Sequence, residues 1–392
     1  MAVNELSFAQ CSAILNEIHS QATGKTAAAA IDETGFITQA QTVLKTGADN
    51  VMNAISQVLT KTIFSIRPYS AKLTGLKVSE ERYGNHIRKI NFIDDEYVDD
   101  TGKAGGAADG SSNDMFATRR PKVLQTNFYG TTVVSDYVTI YLDQLNEAFS
   151  SSSAFGSFIA GVLQNISNKH EQKYDETARL VLCNLIAAKI KADSGNVIHL
   201  LTEYNTELGT TYTITNLMAN GGYADFIKWC YARIESVAEL MSERSLEFHM
   251  NITGKEIPRF TPAGNLKAYM LTSQKNKIQS TVLADTFHDS YVNFGAAETI
   301  NFWQSIKSPD KIMVKPNYID NTGKVVNAAQ AVTQTDILCA LFDEEACGYT
   351  VKNYSMYSTP LHARDRYYNM WWNFDCMYWN DLTENAVIFC LD

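Results

Sequence analysis

From Phe155 onward, apolar residues recur at three- and four-residue steps: Phe158, Ile159, Val162, Ile166, Tyr174, Ala178, Val181, Leu185 and Ile186. No proline or glycine interrupts the run between Val162 and Lys191. The period predicts one helix of roughly 35 residues, spanning roughly 50 Å at the α-helical rise. That is long for a single small core, so the helix reads as a strut for the whole subunit. A second amphipathic helix is predicted over Tyr223 to Arg244, with Phe226, Ile227, Cys230, Ile234, Val237, Leu240 and Met241 on one face. A third begins at Pro262 and runs to Leu271, because proline suits a first turn and Thr261 can cap it. Residues 1 to about 75 show weaker helical spacing, at Cys11, Ile14, Leu15 and Ile18 and again at Val43, Val51, Ile55, Val58 and Leu59. Between these lies Gly24 to Ala30, too poor in large apolar residues to build a core, and the segment reads as an arm.

The pattern changes to strand-like runs at Ile87 to Ile93 and at Val123 to Tyr129, the latter continuing into Thr131 to Val134. Between them sits a tract of glycine, alanine, serine and aspartate, Thr101 to Asn113, which reads as the tip of a hairpin. Residues 206 to 340 mix helical and strand patterns. From Tyr349 the chain is dense in aromatics, and Asn385 to Leu391 form a final strand-like run. No internal repeat and no linker divides the chain into independent domains.

With 392 residues, 45% of them hydrophobic, the chain can fill a sizeable core. Its formal charge of -10 argues against tight phosphate binding as its main task, and no run of five Lys or Arg occurs. Seven cysteines (11, 183, 230, 339, 347, 376 and 390) lie far apart without C-x-x-C spacing, as expected of reduced, buried thiols. The start lacks a basic region ahead of an apolar stretch, and no window approaches eighteen consecutive apolar residues, so neither a secretory signal nor a membrane span is predicted.

Candidate chemistry is sparse. Gly24, Lys25 and Thr26 match the end of a phosphate-binding loop, but the loop's first glycine position holds His19. His170 and Glu171 open a zinc-protease pattern that would require histidine where Tyr174 stands. Ser308 and Lys311 have S-x-x-K spacing without the companion motifs. The sequons at Asn165, Asn251 and Asn353 read as accidental, the first lying inside the predicted long helix. The acidic residues Asp94, Asp95, Glu96, Asp99 and Asp100 lack calcium-loop spacing and read as a solvated or partner-facing cluster. Arg119 and Arg120 lie across the tip from them, and the opposite signs can pair between strands or between subunits. The cluster Tyr367, Tyr368, Trp371, Trp372, Phe374, Tyr378 and Trp379 could stack on bases or sugars, but without a basic groove it reads as packing. No catalytic, cofactor or metal site is predicted.

The order of arm, glycine-tipped hairpin, long helix, mixed block and aromatic C-terminal segment resembles the major capsid proteins of tailed bacteriophages, with the Hong Kong 97 capsid fold. Leu341 to Tyr349 is similar to the strand and turn by which such proteins leave their axial domain, and Glu384 to Phe389 is similar to their closing strand. The resemblance implies an α+β fold: N-terminal arm 1–75, E-loop 76–141, P-domain with spine helix 142–205, A-domain 206–340, and a return to the P-domain with a C-terminal strand over 341–392. It implies a structural subunit, not an enzyme, that assembles into pentamers and hexamers of an icosahedral head enclosing double-stranded DNA without reading its sequence. A portal and a separate scaffolding protein are the implied partners, the scaffold because no long extension precedes the arm; a chain already trimmed of such an extension is the alternative. No membrane is involved, and the protein would be made in the bacterial host cytoplasm and reside in the virion. The implied intersubunit contacts are the E-loop residues Asp94, Asp95, Glu96, Asp99, Asp100, Lys103, Arg119 and Arg120. An encapsulin-like compartment shell shares the fold and is the nearest rival, ahead of an intracellular enzyme with an unrecognised site or a surface or sugar-binding protein.

Some relatives cross-link this loop covalently through a lysine and an asparagine. Lys103 is the only lysine of the tip, and nothing identifies an activating carboxylate or partner asparagine. Virions are therefore expected to give monomer-sized bands alone on a denaturing gel; a ladder of multimers would refute this.

Overall fold

In a computed structural model of the chain, the 3.6-residue period resolves into one helix of 41 residues, Ser152–Ala192. The structure describes residues 7–26, 30–61, 73–78, 86–93, 122–219, 221–276 and 297–392. Two compact units share the chain: one takes residues 1–83, 131–177 and 349–377, the other 84–130, 178–348 and 378–392. The long helix supplies both, contributing through Thr177 to the first and from Ala178 to the second. This division interleaves the chain, with residues 349–377 returning to the first unit and 378–392 to the second.

In the first unit, the segment read as an arm folds into three helices, Phe8–Thr23, Glu33–Leu44 and Ala48–Lys61. Ser7 and Gln10 close a capping box on the first, and Gly24, at φ +70°, ends it in the left-handed conformation that glycine adopts without penalty. The apolar positions that looked weak in sequence, Ile14, Leu15, Ile18, Val43, Val51 and Ile55, are buried in one core with Phe36, Phe149, Phe155, Ile159, Tyr368, Met370 and Trp372. Each short helix becomes stable by burying its stripe against the others, so the described part of this segment is a packed layer of its own unit. Glu33 ties this layer to the long helix: its carboxylate accepts from the Ser152 backbone N–H at 2.7 Å and from the Ser152 hydroxyl. A negative charge at a helix N-terminus also meets the positive end of the macrodipole, and the Ser152 hydrogen bonds hold the Glu33 carboxyl below its ordinary pKa.

A three-stranded sheet completes this unit, with Tyr367–Asn380 between Cys347–Ser358 and Thr132–Tyr141. The aromatic run obeys strand alternation: Tyr368, Met370, Trp372 and Phe374 are buried, whereas Tyr367 and Trp371 face outward. Trp371 stacks on the half-exposed Tyr137 of the adjacent strand at 4.6 Å. The cluster is thus packing on one side and surface on the other.

The second unit is built on a five-stranded sheet in the order Val197–His199, Ala386–Cys390, Ile337–Asp343, Leu266–Leu271, Ala297–Ile300. All residues of Ile337–Asp343 and Ala386–Cys390 are buried, as befits strands covered on both faces. The helix Tyr223–Leu240 places Phe226, Ile227, Cys230, Ile234 and Val237 against one face, together with Leu200 and Tyr204 of the helix Leu200–Leu208. Elsewhere in the unit, Trp303 donates from its indole to the Ile337 carbonyl at 3.0 Å, and the Cys183 thiol of the long helix meets the Trp303 carbonyl at 3.4 Å.

Two expectations are corrected. The segment beginning at Pro262 is a turn followed by a strand, because Leu266–Leu271 fills the place between Ile337–Asp343 and Ala297–Ile300 and sheet pairing overrides its local helical signals. The run Val123 to Tyr129 does not continue as one strand into Thr131: Gly130, at φ +110°, turns the chain, and Thr132–Tyr141 pairs with Tyr367–Asn380 in the other unit.

Leu185 is fully buried on the long helix. Leu185→Asp is expected to cost about 4 kcal/mol, by placing an unpaired carboxylate at a fully buried position, and to show as lost soluble yield or a lowered denaturant midpoint.

Candidate functional site

The two strand-like runs flanking the glycine tract pair antiparallel as a ribbon, His86–Ile93 with Lys122–Tyr129, in continuous register from His86 opposite Tyr129 to Ile93 opposite Lys122. The tip lies outside the described residues, and with it the expected contact residues Asp94, Asp95, Glu96, Asp99, Asp100, Lys103, Arg119 and Arg120. What the structure describes is how the ribbon is seated and which face it bares.

Alternation gives the ribbon two unlike faces. Leu124 and Thr126 are buried, and Leu124 packs on Ile252 and Ile257 of the same unit. Lys89 shares this inner face and reaches three carboxylates: Glu345 at 3.1 Å, Asp381 at 3.2 Å, and Glu384 in an ion pair. Asn91 accepts from the Arg259 guanidinium at 3.0 Å, and Arg259 in turn pairs with Glu384 at 3.0 Å and donates to the Thr383 carbonyl at 3.1 Å. The opposite face bares Ile90, Phe92 and Val123, with Phe92 66% exposed and directly opposite Val123.

The seat is a concentration of charge out of water. Asp381 and Glu384 are buried, and Lys89 and Arg259 nearly so. Burial opposes the charge on Lys89, but Asp381, Glu384 and Glu345 outweigh it and hold the ammonium above its ordinary pKa. Behind these residues, Lys189 of the long helix is wholly buried and donates to Asp193 at 2.6 Å and to the Phe248 carbonyl at 3.4 Å. Burial pushes its pKa down, against the pull of Asp193, Asp381 and Glu384. The loop Asp381 to Asn385 that feeds this network is itself fixed: Asp381 accepts from the backbone N–H and hydroxyl of Thr383 at 3.0 and 2.6 Å.

The sequence motifs fall elsewhere and carry no assembled chemistry. Gly24 caps a helix, and Lys25 is exposed beside it. His170 packs edge-on against Tyr354 and Phe374 at 5.5 and 5.3 Å, and burial lowers its pKa. Ser308 donates its backbone N–H to the Ser305 carbonyl in a turn. All seven cysteines are buried and unpaired as disulfides; burial raises the Cys183, Cys339 and Cys390 thiols to about 12. Among the described residues, no cluster of histidine, cysteine or carboxylate side chains has the arrangement of a metal site, and no helix is long and apolar enough to cross a membrane. Sequence reasoning missed Lys89, Arg259, Glu345 and Asp381. Glu384 was noticed only as the start of the closing strand.

A long helix shared between a sheet-and-helix unit and a unit on a five-stranded sheet, with a two-stranded ribbon seated on the latter, is the Hong Kong 97-type fold of tailed-phage capsid proteins. A chain in the capsid structure of Staphylococcus phage Andhra is similar, with a TM-score of 0.57 at 10% identity, over 85% of this chain and 87% of that one. A chain from a structure of native bacteriophage P68, covering its head fibre and inner core protein, is similar at TM-score 0.56, 10% identity, and the same two coverages, 85% and 87%. No curated protein sequence matches. The sequence pattern of the Phi29-like phage major capsid proteins matches residues 11–390, and the chain belongs to that family.

Removing the Lys89 ammonium would leave Asp381 and Glu384 buried without their closest cation. Lys89→Ala is expected to cost about 3–5 kcal/mol in denaturant unfolding of the full chain, and Lys89→Arg distinctly less. A loss below about 1 kcal/mol would mean that water replaces the ammonium at no penalty.

Proposed function

We propose that this major capsid protein forms hexamers and pentamers of an icosahedral head around double-stranded DNA, and that its ribbon is the E-loop, laid over a neighbouring subunit. The observation that carries the reading is the two-sidedness of the ribbon. Its inner face is held by Leu124, Lys89 and Asn91, whereas Ile90, Phe92 and Val123 are bared on the other face of the two strands. An isolated two-stranded ribbon is marginal in water, and an apolar outer face gains most when another surface covers it. The tip, which in sequence follows the acidic residues Asp94 to Asp100 and precedes Arg119 and Arg120, would add charge complementarity to that contact.

The three N-terminal helices, the three-stranded sheet and the first part of the long helix then act as the peripheral domain, and the five-stranded sheet with its helices as the axial domain. The acidic total suits a wall that encloses DNA without binding it tightly. A portal and a separate scaffolding protein complete the assembly, which proceeds in the host cytoplasm and ends in the virion. The protein's task is structural, with no turnover.

Negative-stain microscopy of the protein, expressed with any adjacent scaffold gene, should show particles tens of nanometres wide. Soluble monomers or dimers under every assembly condition would overturn the reading. Deleting Gly102 to Ser112 is expected to leave the subunit folded and impair assembly or particle stability. Phe92→Asp should act likewise, with an unchanged circular dichroism spectrum and fewer or weaker particles; shells of unchanged stability would show that the outer face is not covered.

A further inference from the structure

Directly beneath the ribbon lies a buried histidine that the shell reading does not use. His249 is 4% exposed and lines a small cavity, about 10 Å³, together with Leu124 of the ribbon and Asn251, Ile252, Lys255, Ile257, Arg259 and Thr383. Its tautomer follows from its neighbour. The Asn385 amide donates to the Thr261 hydroxyl at 3.2 Å and to the Met241 carbonyl at 3.5 Å, so its oxygen is left to accept from His249 Nδ1 at 3.2 Å. Nδ1 therefore carries the proton, and the buried Nε2 makes no hydrogen bond. A second proton would add a charge in this place.

The charged groups around it other than Lys255 are already committed. From the long helix, Lys189 is paired with Asp193. From the segment before Leu266–Leu271 come Arg259, paired with Glu384, and Lys255 at the cavity wall. From the ribbon, Lys89 takes Asp381, Glu384 and Glu345. Asp343 accepts from the Glu345 backbone N–H at 2.9 Å. An imidazolium here would thus face Lys189 and Arg259 with no carboxylate of its own.

We propose that His249 is a proton-operated release for the ribbon: protonated beneath Leu124, it loosens the ribbon's inner face while the five-stranded sheet stays intact. The direction of the linkage supports this. Burial first, then Lys189 and Arg259, lower the His249 pKa, outweighing the Asn385 hydrogen bond and the Ile257 backbone, which both favour the proton. A group whose pKa is depressed when seated contributes stability that is complete above its free value, near 6.5, and is lost as pH falls through the seated value. Glu384 acts in the opposite sense, since burial raises its pKa and acid relieves that burial cost. The release is specific to His249 only if it survives removal of the Glu384 titration.

Amide hydrogen exchange of the full chain, corrected for intrinsic rates, separates these contributions. Between pH 7.5 and 5.5, exchange in His86–Ile93 and Lys122–Tyr129 should speed up by about tenfold or more while Ile337–Asp343 stays protected. His249→Gln should abolish the acceleration, and Glu384→Gln should retain or enlarge it. The proposal is overturned if the ribbon does not respond, if ribbon and sheet loosen together, or if His249→Gln responds like the native chain. Should His249→Gln fail to fold, the contrast between ribbon and sheet in the native chain, with the Glu384→Gln result, decides. The contacts involved lie within one chain, so failure here leaves the shell reading untouched.

Discussion

The pairing of Ile337–Asp343 with Ala386–Cys390 is the constraint on which the second unit depends. Both strands are buried along their whole length, so their backbone groups have no water to turn to and must satisfy one another. Once they pair, Leu266–Leu271 and Val197–His199 can add only on the two outer flanks. The same pairing fixes the short loop Asp381 to Asn385 that enters the second strand. That loop carries the carboxylates to which the ribbon is bound, and the asparagine that sets the His249 tautomer. A hydrophobic sheet thereby dictates where a polar seat can exist.

The seat makes a different kind of contribution from the sheet. Burying four ionised side chains is expensive, and an apolar interface of equal volume would often hold as well. What charges supply is selectivity. Lys89 lies one strand position from Ile90, so slipping the strand by a single residue would turn the ammonium to the exposed face and push an isoleucine among carboxylates. The ribbon therefore has one acceptable register. Its apolar outer residues are presented to one side only.

Much of this was legible in the sequence wherever a signal is local. The long helix, the helix from Tyr223, the ribbon's two strands and the closing strand all follow from periodicity over a few residues. Leu266–Leu271 was misread because its turn begins with a proline that looks like a helix start, and only its neighbours in the sheet declare it a strand. The N-terminal helices looked weak because their stability comes from a core assembled with residues far along the chain. Lys89 was invisible as a site for the same reason: Asp381 and Glu384 stand 292 and 295 positions away, and no spacing rule reaches that far.

Residues 386–390 lie inside the five-stranded sheet, between Val197–His199 and the central Ile337–Asp343, and the ribosome makes them after every other strand of that sheet. Until they emerge, Ile337–Asp343 has one open edge, Val197–His199 has no strand to join, and Lys89 has no buried carboxylates to meet. A nascent chain that lacks them thus cannot seat the ribbon. Synthesis of this segment becomes a timing device: the ribbon is set only in chains that carry the strand locking its seat, and fragments broken off before that strand lack the seat.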